Sequence, residues 1–139
     1  MRGNDTKRIG DLIYSKEAEE KAALKEKHTP SIEAPNGARP EEAFQVTVIV
    51  GKEVPHPNLV EHHIKWIRVF VEEEGRSHNP IHVGTYEMGP TYAEPKVTFP
   101  LKLKKSSTVH ALGYCNLHGI WENSVDIIVE RSEPRQRPE

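Results

Sequence analysis

Lys96-Val97-Thr98-Phe99-Pro100-Leu101-Lys102-Leu103-Lys104 alternates apolar and polar residues along its whole length. That period of two is the mark of a strand with one buried and one solvated face: Val97, Phe99, Leu101 and Leu103 point inward, Lys96, Thr98, Lys102 and Lys104 outward. Pro100 lacks an N–H to donate, which places the strand at a sheet edge or a bulge. The same reading extends in both directions. Downstream, Val109, Ala111, Gly113 and Cys115 share one face of a strand, and Val125, Ile127 and Val129 share a face of another. Upstream, Val46, Val48 and Val50 alternate with Thr47 and Ile49, and Ile64–Val71 is apolar enough on both faces for a central strand. Short strands separated by Gly, Pro and Asn turns predict an all-β fold, an immunoglobulin-like β-sandwich beginning after about Pro40.

The chain before this region has a different composition. Ser15 to about Lys27 is rich in strong helix formers, with Ser15 as N-cap and Glu17, Glu19 and Glu20 near the positive end of the helix dipole. Pro30 stops any continuation. The sequence therefore divides into residues 1–27, an N-terminal extension with a short helix; residues 28–130, the β-sandwich domain; and residues 131–139, a charged tail with two prolines expected to be flexible.

At 139 residues the chain is long enough for one domain that buries about two-thirds of its unfolded surface without staples. A formal net charge of −2 argues against a nucleic-acid or membrane-surface binder. No apolar run approaches the roughly 20 residues that cross a bilayer. The first eleven residues lack the apolar core of an export signal. With a single cysteine, these features point to the reducing cytoplasm.

That cysteine, Cys115, cannot form an internal disulfide, and a free cysteine is more often a small buried hydrophobe than a ligand. His118, three residues on, gives a C-x-x-H spacing able to place thiolate and imidazole on one metal ion. Three further histidines stand in pointed contexts: His28 before Thr29-Pro30, His56 between Pro55 and Pro57, and His62 beside His63. Adjacent residues of an extended chain point opposite ways, so at most one of His62 and His63 enters a given site. His78, His82 and His110 carry no such context. Imidazole with thiolate suits zinc, copper or iron.

Three segments, Glu26-Lys27-His28-Thr29-Pro30, Val50-Gly51-Lys52-Glu53-Val54-Pro55-His56-Pro57-Asn58 with Glu61-His62-His63-Ile64, and Tyr114-Cys115-Asn116-Leu117-His118-Gly119-Ile120-Trp121-Glu122, resemble the superoxide reductases of the neelaredoxin type. The resemblance runs from about Glu26 to Val129. Two-iron relatives, the desulfoferrodoxins, carry an extra module with four cysteines. This chain has only Cys115 and so resembles the one-iron class. The resemblance implies one iron per chain, with His28, His56, His62 and His118 equatorial, Cys115 axial, and Glu26 as sixth ligand of the ferric state. It implies an enzyme that reduces superoxide by one electron to hydrogen peroxide, with Glu26 and Lys27 as catalytic groups. Lys52 is expected to add positive potential, and the amides of Leu117 and His118 to donate to the sulfur. It further implies an electron donor such as rubredoxin and a homo-oligomer, the tetramer of one-iron relatives. The stretch between Gly84 and Glu94 is shorter than that family's usual loop; the missing part contains no ligand, so the departure bears on subunit contacts, and on the tetramer, rather than on the iron site. The alternative function is a non-catalytic electron-transfer or structural metal-binding β-sandwich.

Overall fold

A computed structural model describes residues 7–131; the tail expected to be flexible, 131–139, lies almost wholly outside them. Two sheets pack face to face. The smaller contains β1 (Pro30–Glu33), β3 (Phe44–Val50) and β6 (Lys96–Leu101) in the order β1-β3-β6. The larger contains β2 (Gly37–Ala38), β4 (Ile64–Glu73), β5 (Ile81–Glu87), β7 (Ser107–Cys115) and β8 (Gly119–Val129) in the order β2-β8-β7-β4-β5. The architecture is the expected all-β sandwich. Between the sheets lie Val46, Val48 and Val50 of β3, Phe99 and Leu101 of β6, Ile67, Val69 and Val71 of β4, Val109 and Ala111 of β7, and Ile127 of β8. Burial of each large aliphatic chain is worth about 1.5–3 kcal/mol, so this layer dominates the stability of the fold.

Particular expectations hold. Pro100 lies in β6, which is an edge strand of its sheet. Ile64–Val71 falls within β4, flanked on both sides by β7 and β5. Other expectations need correction. Strands begin at Pro30 rather than after Pro40, because Pro30–Glu33 pairs antiparallel with Thr47–Val50. β5 was not legible as a strand. The helix is shorter than its composition predicts: α2 spans only Ala22–His28, preceded by a four-residue helix, α1 (Ile9–Leu12). Ser15 instead closes a turn, its Oγ accepting from Glu17 N at 3.2 Å and its carbonyl from Ala18 N at 2.9 Å. The physical reason is that a short helix with exposed Ala22 and Ala23 gains little from packing and is marginal on propensity alone. Tyr14, meanwhile, pairs with the backbone of β8 and fixes the chain just upstream.

Strand register gathers three distant segments at one end of the sandwich. Pro30 pairs with Val50, which brings the end of α2 to the start of the 51–63 connection. Ile64 pairs with Cys115, which brings the end of that connection to the end of β7. Cys115 pairs with Gly119 across the tight turn into β8.

Candidate metal centre

Each of these three segments delivers nitrogen or sulfur donors to one point. His28 ends α2, where Thr29 N still bonds to Lys25 O at 2.9 Å and Pro30 forbids another turn. His56 sits on a connection whose first residue, Gly51, has φ +81; a Cβ there would lie 2.6 Å from His56 N. Only glycine permits that close approach. His62 precedes β4, and Cys115 ends β7. The donor atoms of His28, His56, His62 and Cys115 all lie within 4.8 Å of one another, and the group is almost wholly buried. Cys115 is 0% exposed and His28 1%.

Hydrogen bonding assigns the tautomers. His28 Nδ1 is 2.7 Å from Leu24 O, and His56 Nδ1 is 2.6 Å from Pro57 O. A carbonyl only accepts, so both Nδ1 atoms carry protons. Burial lowers the pKa of both rings, His56 to about 4, and so favours their neutral forms. Their Nε2 atoms are then bare lone pairs, yet they face each other at 3.1 Å. His62 Nε2 is also buried and has no hydrogen-bond partner. Two opposed lone pairs and an orphaned third are costly unless a cation lies among them. The residues therefore fit a metal ion with imidazole and thiolate ligands. The carbonyls of Leu24 and Pro57 are the outer partners that fix ring orientation in such centres.

At the sulfur, burial pushes the thiol pKa up, and the amides of Leu117 and His118 pull it back by donating to Sγ. His118 N lies 3.4 Å from Sγ. These are the two amides expected from the turn. His118 stands just outside the group of four: its Nδ1 is 3.7 Å from Sγ, and its ring is 4.9 Å from that of His28 and 5.2 Å from that of His62. Of the adjacent pair, His62 enters the group. His63 is buried outside the group, with Nδ1 donating to Leu59 O at 3.0 Å. Glu26 is exposed and outside the group. Lys27 is half-buried, and its charge helps depress the pKa values of His28 and His62. Lys52 is held by Glu33 at 2.6 Å, which compensates its charge. His78 and His82 are exposed, and His110 pairs with Glu72.

Three supporting residues escaped the sequence reading. Asn116 Oδ1 accepts from His63 N at 2.8 Å and Asn116 Nδ2 donates to Glu61 O at 2.9 Å, tying the cysteine turn to the His62 segment. Trp121, 1% exposed, stacks on the His28 ring at 5.2 Å. Tyr14 stacks on Trp121 at 4.8 Å. Asn116 and Trp121 lie inside a motif already singled out, but only the register shows what they touch.

Comparison with known proteins shows the family. Residues 20–124 match the family described as Desulfoferrodoxin. The superoxide reductase of Pyrococcus horikoshii is 44% identical over 105 residues, covering 73% of this chain and 88% of that one. The neelaredoxin of Megalodesulfovibrio gigas is 40% identical over 111 residues, covering 71% and 85% respectively. The solved superoxide reductase (neelaredoxin) from Ignicoccus hospitalis superposes with a TM-score of 0.83 at 50% identity, covering 89% of this chain and 100% of that one.

Proposed function

The chain belongs to the desulfoferrodoxin family, and on that premise we propose that its buried histidine–thiolate group holds the iron at which superoxide is reduced to hydrogen peroxide, as in the one-iron superoxide reductases. The observation that carries the reading is the pair of bare nitrogens, His28 Nε2 and His56 Nε2, opposed at 3.1 Å beside the Cys115 sulfur. We assign His28, His56, His62 and His118 as the nitrogen ligands and Cys115 as the thiolate ligand. Glu26, on the same last turn as His28, is assigned as the sixth ligand of the ferric state. Iron held by these residues would supply one-electron chemistry toward superoxide, with a separate donor as the source of the electron.

The chain's own residues shape that exchange. Because the imidazoles are neutral and only Cys115 brings a negative charge, a ferrous ion held here would leave the centre net positive, which would attract an anion. Lys27 extends the positive potential toward solvent, whereas Lys52 is spent on Glu33. The two amides on Cys115 Sγ hold its lone pairs and tune how strongly the sulfur donates to the metal. Each superoxide takes one electron and two protons to give hydrogen peroxide. The sequence carries no flavin or nicotinamide fingerprint, so the electron comes from a separate one-electron donor such as rubredoxin. Residues 1–27 serve as the extension and 28–130 as the iron-binding domain of a cytoplasmic homo-oligomer. Among the described residues no helix is long and apolar enough to cross a membrane.

Metal analysis of the purified full chain tests the reading. About one iron per chain, with a blue thiolate-to-iron absorption on oxidation, is expected. A colourless protein loaded with zinc, inert to oxidants, contradicts it.

A further inference from the structure

Tyr14 lies upstream of the family match at residues 20–124, yet it is built into the metal centre's outer wall. Its backbone is clamped to the start of β8 by Tyr14 N–Ile120 O at 2.9 Å and Glu122 N–Tyr14 O at 2.8 Å. Its ring stacks on Trp121 with centroids 4.8 Å apart and planes 25° from parallel. The ring edge also covers Gly119: a Cβ there would lie 3.5 Å from Tyr14 Cε2. Trp121 then reaches two of the assigned ligands. Its ring stacks on His28 at 5.2 Å and 24°, and its Nε1 donates to the His118 carbonyl at 3.0 Å. Tyr14 is 37% exposed and Trp121 1%, so the tyrosine is the layer between solvent and the tryptophan.

We propose that Tyr14 is a positioning residue for the metal centre: through Trp121 it holds the His28 ring and the Cys115–Gly119 turn in place and keeps water from them. The N-terminal segment is on this account a working wall of the site. His28 comes from α2 and His118 from the β7–β8 turn, and Trp121 engages both. Trp121 needs a second face to be held in that role, and Tyr14 supplies a flat, rigid one. Rigid support of a ligand by its outer partners is worth roughly ten- to a hundredfold in metal affinity. An aromatic pair one layer further out contributes about three- to tenfold.

This inference rests on the iron-binding reading above, and the experiment separates the two. Full-length iron-loaded chain and its Tyr14→Ala, Tyr14→Leu and Tyr14→Phe variants are mixed with a ferrous chelator, and the rate of iron release is followed. The thiolate-to-iron absorption of the oxidised proteins is recorded alongside. Tyr14→Ala and Tyr14→Leu should release iron about three- to tenfold faster and shift that band, because both lack a ring face. Tyr14→Phe should match the parent in rate and band, because the stack and not the hydroxyl is at work. Leucine keeps the segment apolar if alanine proves too disruptive to fold. Parental rates and band in Tyr14→Leu overturn the positioning role, as does a Tyr14→Phe variant impaired like Tyr14→Leu. A parent chain that takes up no iron overturns the proposed function and this inference with it.

Discussion

His28 Nε2 and His56 Nε2 face each other at 3.1 Å while the Nδ1 atom of each is committed to a backbone carbonyl. Neither nitrogen in the contact has a proton to give, so the pair is an acceptor–acceptor approach that a cation between them would relieve. His56→Asn removes one ring nitrogen of that pair and should leave the chain folded but with iron content reduced to a small fraction of the parent's. Elemental analysis with far-ultraviolet circular dichroism checks both halves of the statement.

Adjacent histidines in the 61–64 segment should respond oppositely to mutation. His62 contributes an orphaned buried nitrogen to the donor group, so His62→Asn should lose iron. The His63 ring donates to Leu59 O, and its backbone bond to Asn116 does not depend on the side chain, so His63→Leu should keep its iron and lose about 1 kcal/mol of stability, the net worth of one hydrogen bond. Denaturant unfolding and metal analysis of the two variants distinguish them.

Gly51→Ala should damage the site through the backbone. The φ of +81 is unfavourable for alanine, and the added Cβ would lie 2.6 Å from His56 N, a main-chain atom with little room to move. A cost of about 1–3 kcal/mol is expected, together with faster iron loss because His56 must shift. Thermal unfolding and chelator challenge measure both.

Lys27 is half-buried at the end of α2, and its charge is felt by His28 and His62. Lys27→Ala should slow the second-order reaction with superoxide at low ionic strength and flatten the dependence of that rate on salt, since steering of an anion is screened over about 10 Å at 0.1 M. Iron content should not change. Pulse-generated superoxide at graded ionic strength provides the measurement, and an unaltered low-salt rate contradicts the steering role.

Much of the sandwich could be read from residue order because its strands carry a clean period of two: Val97-Phe99-Leu101-Leu103 and Val109-Ala111-Gly113-Cys115 each bury one face. β1 and β5 escaped that reading. Pro30–Glu33 is a strand only because β3 lies beside it, and Ile81–Glu87 has a weak alternation and sits at a sheet edge. The helix was overdrawn for the converse reason: Ser15–Glu20 has the composition of a helix, but tertiary pairing of Tyr14 with β8 and a Ser15 turn take precedence over propensity. The donors His28, His56, His62 and Cys115 were legible because their contexts are unusual, and the structure gathers them. Their supports were not. Leu24 O, Pro57 O, Asn116, Trp121 and Tyr14 act through contacts between segments distant in the chain, and no local pattern records which backbone carbonyl or ring will lie beside a given imidazole.

Product stoichiometry tests the central claim most directly. Iron-loaded full chain is given a measured amount of pulse-generated superoxide in the presence of excess reduced one-electron donor, and peroxide and oxygen are both quantified. Reduction at this centre predicts one hydrogen peroxide for each superoxide consumed, one donor electron used, and no oxygen formed. One oxygen and one peroxide for every two superoxide ions, with the donor left reduced, would identify dismutation and contradict the account.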